Sequence, residues 1–416
     1  MLNDTPLPDV AFVCHAYHRG GVTRWMVDAA IAWRELGGRA WLLAPTPRAN
    51  GGRADRPSIV QLAAEAAAGA RPEIITWPLD VTFEYGTSSH RAFTYAGEIE
   101  RSVPAGVPVV VSDDAAVWAG AAMMSARNPF IGVLHSDEAT YYGYVKRYQR
   151  ELSGVVCVSR RTGDRVAQLI SGDIPIETIP CGVPVPPLTV PNDPSTSALR
   201  LAWVGRMEEA SKRVSDLPKI ARALRDAGVR FHLDLVGDGP ARPALVEQLA
   251  REDLASHVTV HGWCDRSGVR AVLEHADVYL LPSNFEGMSV SVMEALASGC
   301  AVVSSRTSGI EDYASHSGAV RCVWTYPVGD VAAAVQSLRD ALAVPRAERR
   351  QRSHALAQSE FSIERCVRAY GSFIGRLEPH ASNVSASSHT IRARLSELTS
   401  RPIAAWRSVR VARAAR

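Results

Sequence analysis

The 416-residue chain has no apolar run approaching the roughly 18 residues that a membrane-spanning helix needs. Its first ten residues, MLNDTPLPDV, are polar and broken by proline, so no signal peptide is expected. Seven cysteines, at 14, 157, 181, 264, 300, 322 and 366, are scattered without the spacing of metal ligands. Several fall in strand-like runs, and a reduced, cytoplasmic protein is the simplest expectation. There is no G-x-G-x-x-G fingerprint: neither Gly20-Gly21 nor VGDGP at 236 fits it, which leaves a nicotinamide dehydrogenase little support. Only YYGYVKRYQR, from Tyr141, interleaves aromatic and basic residues. In a chain of net charge +3 this reads as a helix surface, and no nucleic-acid partner is expected.

What is present is ordinary in bulk, with 46% apolar and 21% charged residues, and long enough for two domains. Residues 10–15, 40–44, 74–78, 107–112, 130–135 and 155–159 read as strands, most of them followed by helices. That is a parallel, doubly wound α/β pattern over residues 1–186. A stretch rich in Pro, Ser and Thr supplies a linker at 187–198. A second α/β set spans 199–360, an amphipathic helix 361–378, and a tail 379–416. The tail carries seven arginines against the single acid Glu397, which leaves the body slightly acidic. Basic segments with an interfacial tryptophan such as Trp406 can lie on anionic lipid. The Ser- and Ala-rich approach to the tail supports the opposite reading, a solvated segment.

The stretch LLPSNFEGMSVSVMEALASGCAVVSS holds two glutamates, Glu286 and Glu294. Val278–Leu281 reads as a buried strand, 285–289 as a loop, 290–298 as a helix stopped by Gly299, and 300–304 as the next strand. Sheets built of such units bind ligands beyond the carboxyl ends of their strands. Eight helical residues would put the carboxylates about 12 Å apart. A two-carboxylate hydrolase needs roughly 5–9.5 Å. The spacing suits the two hydroxyl-rich ends of an elongated ligand. Between them, the free N–H groups of Gly287, Met288, Ser289 and Val290 open a helix and can hold a diphosphate.

These residues resemble the E-x7-E signature of glycosyltransferase family 4, the retaining nucleotide-sugar transferases of GT-B fold. Other landmarks follow in order. LAWVGRMEEASKRVSDL, from Leu201, looks like the strand opening the second domain with its Arg and Lys phosphate ligands. FHLDLVGDGP looks like the central strand and glycine turn, and VTVHGWCD like the base-binding loop. VCVSRRTGDRV and TIPCGVPVP resemble the segments closing the first domain. HRGGVTRWMVDAAIAWRELGGRAWLLAP resembles its opening loop, helix and strand. Two departures stand out: Arg206 and Lys212 are six apart where five is commoner, and Cys181 replaces the usual Asn before Gly182.

The resemblance implies two Rossmann-like domains facing a cleft, an acceptor side in the first and a nucleotide-sugar site in the second. Arg206 and Lys212 would stabilise the leaving diphosphate, Glu286 orient sugar hydroxyls and Glu294 hold ribose. His135 would face the donor sugar. Gly20 and Gly21 would let backbone approach the diphosphate or acceptor, Gly262 and Trp263 meet the base, and Asp113 and Asp114 meet the acceptor or form a solvated turn. No D-x-D motif is present, and neither a metal nor a cofactor is expected. UDP is the default donor base and GDP the second candidate. The acceptor would be a hydroxyl of an oligosaccharide or lipid-linked glycan, and the tail would supply any membrane contact. A GT-B epimerase and a catalytically silent binding subunit are the rival readings.

Overall fold

The computed structural model describes residues 6–14, 21–47, 68–79, 88–112, 114–188, 198–316 and 321–377. Gly20, Asp113 and the basic tail, and with them the expected backbone approach, acceptor contact and membrane contact, lie outside the described residues. Within them, two separate parallel sheets form. The first contains β1 (Val10–Val13), β2 (Ala40–Pro47), β3 (Glu73–Leu79), β4 (Val109–Val111), β5 (Phe130–Leu134), β6 (Gly154–Cys157) and β7 (Ile176–Thr178). The second contains β8 (Leu199–Val204), β9 (Phe231–Val236), β10 (Val258–Gly262), β11 (Val278–Leu281), β12 (Ala301–Ser305) and β13 (Val323–Tyr326). The central strands VAFV, VVV, FIGVL and VYLL are buried along their whole length, because helices cover both faces of a parallel sheet.

The strand orders are β3-β2-β1-β4-β5-β6-β7 and β10-β9-β8-β11-β12-β13. Each sheet therefore reverses its winding once, between β1 and β4 in the first and between β8 and β11 in the second. Such a reversal splays the connecting loops apart and leaves a crevice at the carboxyl ends of the two strands. β7 was not among the expected strands. Its three residues, Ile-Glu-Thr, are only partly buried and too few to show a period.

The helix Ile363–Gly375 carries the chain back to the first domain. Val183 and Ser362 form a parallel bridge, and Tyr370 packs against Trp25 with ring centroids 5.6 Å apart. Phe373 occupies the space over Gly154, where a Cβ would stand 2.7 Å from its ring. One apolar cluster thus runs from β1 through this helix to β11 and β12. Among the described residues, no helix is long and apolar enough to cross a membrane.

Candidate functional site

The two strands at the second reversal point each deliver part of a site. After β11 the chain breaks at Pro282 and turns through Asn284 and Phe285 to Glu286. After β8 it passes Gly205 and Arg206 into a single helical turn, Glu209–Lys212. Asn284 stitches the two loops together: its N–H donates to the Ser211 carbonyl at 2.8 Å and its amide to the Ala210 carbonyl at 2.9 Å. This brings Lys212 Nζ to 2.6 Å from Glu286 Oε1. Ser283 Oγ donates to the same oxygen at 2.6 Å. Glu286 is 8% exposed and Lys212 21%, so the pair sits at the floor of the crevice with limited access to water.

The structure separates Lys212 from its neighbour Arg213. Arg213 takes a left-handed conformation (φ 45°) that ends the short turn and swings its guanidinium the other way. There it donates to Asp216 at 2.7 Å and Asn284 at 3.1 Å, and is tied up structurally. Arg206 is 62% exposed and pairs with Glu208 at 3.2 Å rather than with Glu286.

Glycine permits a close approach of the two domains at Glu286. A Cβ on Gly287 would lie 1.7 Å from the His135 carbonyl oxygen, which belongs to the first domain. A Cβ on Gly309 would lie 1.4 Å from the Gly287 carbonyl oxygen. Three backbone segments are thus stacked with no room for side chains. Ser308 Oγ donates to the Glu286 carbonyl at 2.8 Å and pins the middle layer.

Ser289 then opens the helix Val290–Ala297, and Gly299 (φ 84°) closes it: Gly299 N bonds the Leu296 carbonyl and Cys300 N the Ala295 carbonyl, both at 2.9 Å. The helix start is held from behind. Tyr313 donates to the Ser289 carbonyl at 3.0 Å, and the Tyr279 hydroxyl meets Ser291 Oγ at 2.7 Å. Across the cleft, the first domain's helix Gly21–Glu35 points its own start at the same place. A Cβ on Gly21 would meet the Val290 side chain at 3.3 Å. Two helix N-termini converge there and favour an anion between the domains.

Glu294 lies one turn further along this helix. Desolvation pushes its carboxyl up to about 7, and Asp28 adds to the rise while Arg266 and Arg24 oppose it. Among the described residues, its carboxylate makes no hydrogen bond or ion pair. Its raised pKa has a signed consequence. The unfolded chain releases this proton near the ordinary glutamate value, the folded chain only near 7, so ionisation there opposes folding and the penalty grows as pH rises between the two. Glu294→Gln should therefore melt higher than the parent above pH 7 and lose that advantage below about pH 4, where both forms are protonated. Melting curves of the two proteins across that range check it; a pH-independent difference would contradict the assignment.

At the far end, Gly262 (φ 76°) accepts from Gly237 N at 2.7 Å, and Trp263 stands 37% exposed beside it. Gly237 and Gly239 let the β9 turn press on the β8 loop, since a Cβ at either would strike the carbonyl of Gly205 or Met207.

In the first domain, His135 is buried at the end of β5, edge-on to Trp25 at 4.8 Å. Its Nδ1 is 3.4 Å from Cys181 Sγ, so the cysteine that stands where Asn was expected packs on this histidine. Asp114, expected at the acceptor or in a solvated turn, has a structural role. It caps the helix Ala115–Met124, accepting from Ala116 N at 2.7 Å, and receives Arg91 at 2.7 Å.

Sequence reading passed over Asp28, Arg24 and Arg266, which meet across the domains. One signal was present: Asp28 is a lone acid within the apolar run of WMVDAAIAW, a costly place for an unpaired charge.

Known proteins bear on this geometry. Residues 19–185 match the family model described as Glycosyltransferase Family 4, and residues 198–343 that described as Glycosyl transferases group 1. The chain is 33% identical over 141 residues to the amylovoran biosynthesis glycosyltransferase AmsK of Erwinia amylovora, covering 32% of this chain and 34% of that one. It is 34% identical over 149 residues to the putative colanic acid biosynthesis glycosyltransferase WcaL of Escherichia coli (strain K12), covering 34% and 35%. The matched region thus spans about a third of the length of these relatives. The solved structure of Anabaena Alr3699/HepE in complex with UDP-glucose superposes with a TM-score of 0.69 at 16% identity, covering 89% of this chain and all of the other. At that identity the likeness carries the fold, two facing Rossmann-like domains.

Proposed function

We propose that this chain, which belongs to glycosyltransferase family 4 and has its GT-B fold, moves a sugar from a nucleoside diphosphate to a hydroxyl of a growing glycan, with retention at the anomeric carbon. The observation that carries the reading is the Lys212–Glu286 contact at the floor of the crevice, faced by two converging helix N-termini. A diphosphate between those helix starts meets a ready-made positive field, completed by Lys212 and Arg206. As the bond from the anomeric carbon to phosphate breaks, charge develops on the departing oxygen, and that field stabilises it. The acceptor oxygen bonds to the same face, and its proton passes to the departing phosphate. No protein nucleophile and no metal enters this scheme. Glu286, held by Lys212 and Ser283, orients sugar hydroxyls. Glu294 accepts from ribose, and Trp263 covers the base.

UDP as donor base is supported by the UDP-glucose bound in the Anabaena neighbour, and a polysaccharide product by the names of the amylovoran and colanic acid relatives. A lipid-linked acceptor at the cytoplasmic membrane face draws its support from the basic tail alone. The test has two parts. UDP, GDP and ADP are compared in thermal-shift titrations, because a ligand that binds the native state raises its melting temperature. UDP is expected to give the largest shift. Donor sugars of the stabilising base are then incubated with and without oligosaccharide acceptors. Acceptor-dependent release of nucleotide is expected; sugar interconversion without acceptor, or no turnover with any donor, would overturn the proposal.

A further inference from the structure

Asp28 is a buried acid at the interdomain contact. It lies on the helix Gly21–Glu35 among the buried Met26, Val27, Ala29 and Ala30, and its side chain is 6% exposed. A carboxylate in such a place requires hydrogen-bonded cations. It has two. Arg24, one turn earlier on the same helix, places Nε 3.1 Å from Oδ1 and 3.3 Å from Oδ2. Arg266, from the second domain, places Nη1 3.2 Å from Oδ1 and Nη2 3.4 Å from Oδ2, a two-pronged grip across the cleft.

The position of Arg266 gives this contact its meaning. It is the first residue of the helix Arg266–His275, whose cap is Asp265, and only Cys264 and Asp265 separate it from Trp263. There is little slack between the grip and the loop assigned to the base. Arg266 is also the strongest cationic influence on Glu294. An arginine held by Asp28 is withheld from Glu294, whose carboxylate then keeps its acceptor positions for a ligand.

We propose that Asp28 of the first domain is a positioning residue for the nucleoside half of the donor: by gripping Arg266 it fixes loop 262–265 and keeps Glu294 open to ribose hydroxyls. Nucleoside recognition then depends on the first domain, although none of its side chains need touch the nucleoside. Without the grip, Arg266 turns to Glu294 and competes with the ribose. The inference rests on the donor-site reading above.

The test is a double-mutant cycle on the full chain with UDP as probe, using Asp28→Asn, Arg266→Gln and the double variant. Arg266 is the more exposed partner, so Arg266→Gln probes the same contact at less risk to folding yield than Asp28→Asn. Calorimetry should show UDP affinity falling about tenfold in Asp28→Asn, and the double variant should be no weaker than the worse single one, because contacting residues are coupled. In turnover assays the donor KM should rise while kcat and the acceptor KM hold, a split that a general loss of structure would not give. Unchanged UDP affinity in Asp28→Asn, or additive losses of about a hundredfold in the double variant, would overturn the inference. A parent protein that binds none of UDP, GDP and ADP would instead overturn the donor-site reading, and the inference with it.

Discussion

Gly287→Ala is expected to lower turnover about a hundredfold or more while both sheets stay folded. The added methyl would lie 1.7 Å from the His135 carbonyl oxygen, 2.6 Å from its carbonyl carbon and 3.0 Å from the Ser136 Cα. All three are backbone atoms of the other domain, so no rotamer change relieves the clash. The domains must part by more than 1 Å at this point. A displacement of that size is enough to cost about two orders of magnitude in rate when reacting groups are held by opposite walls of a cleft. Gly309→Ala should do the same from the other side, since its methyl would lie 1.4 Å from the Gly287 carbonyl oxygen. Circular dichroism should report intact secondary structure, and single-turnover assays the lost rate. Parent-like turnover in both variants would mean that catalysis takes place with the domains further apart than they stand here.

The same contact shows where sequence reading stops. The strand–loop–helix–strand order around Glu286 was legible because each element has a local cause: the apolar run of β11, the break at Pro282, and the stop at Gly299. The doubly wound pattern was legible because alternating apolar runs and helices leave few topologies. The pairing of Lys212 with Glu286 was not. It depends on Asn284 tying two loops 74 residues apart and on the left-handed turn at Arg213 that sends the adjacent cation elsewhere. In the sequence, Arg213 beside Lys212 left the register of the phosphate-binding cation open. The role of Gly287 was likewise hidden. In the sequence it belongs to a helix start; in the structure its missing side chain sets the distance between domains. Asp114 was read only as an acid after a strand, although its place as the cap of the following helix was just as local a signal. Asp28 and Arg266 lie 238 residues apart, and no local pattern could join them.

Lys212→Ala should cost about a hundredfold or more in kcat, a loss of the size seen when one preorganised partner of developing charge is removed. Two effects act together. The field on the departing phosphate loses its half-buried cation, and Glu286, 8% exposed, loses the ammonium group 2.6 Å away. Ser283 remains as a neutral donor at 2.6 Å, so the carboxylate stays hydrogen-bonded but uncompensated. A buried carboxylate without its cationic partner is costly to keep in place, so Glu286 would be held less firmly against sugar hydroxyls. Lys212→Arg separates the contributions. It keeps the positive charge but offers a planar fork where a compact ammonium fits, so turnover should recover only in part. Arg206→Ala should be milder, since that side chain is 62% exposed and shares its charge with Glu208. The order of kcat is then parent, Arg206→Ala, Lys212→Ala, with Lys212→Arg above Lys212→Ala. Free UDP should bind all four within about tenfold of one another, because the lysine acts mainly on charge that appears as the bond breaks. A Lys212→Ala enzyme that turns over within twofold of the parent would remove the lysine from the reaction and leave its contact with Glu286 a structural one.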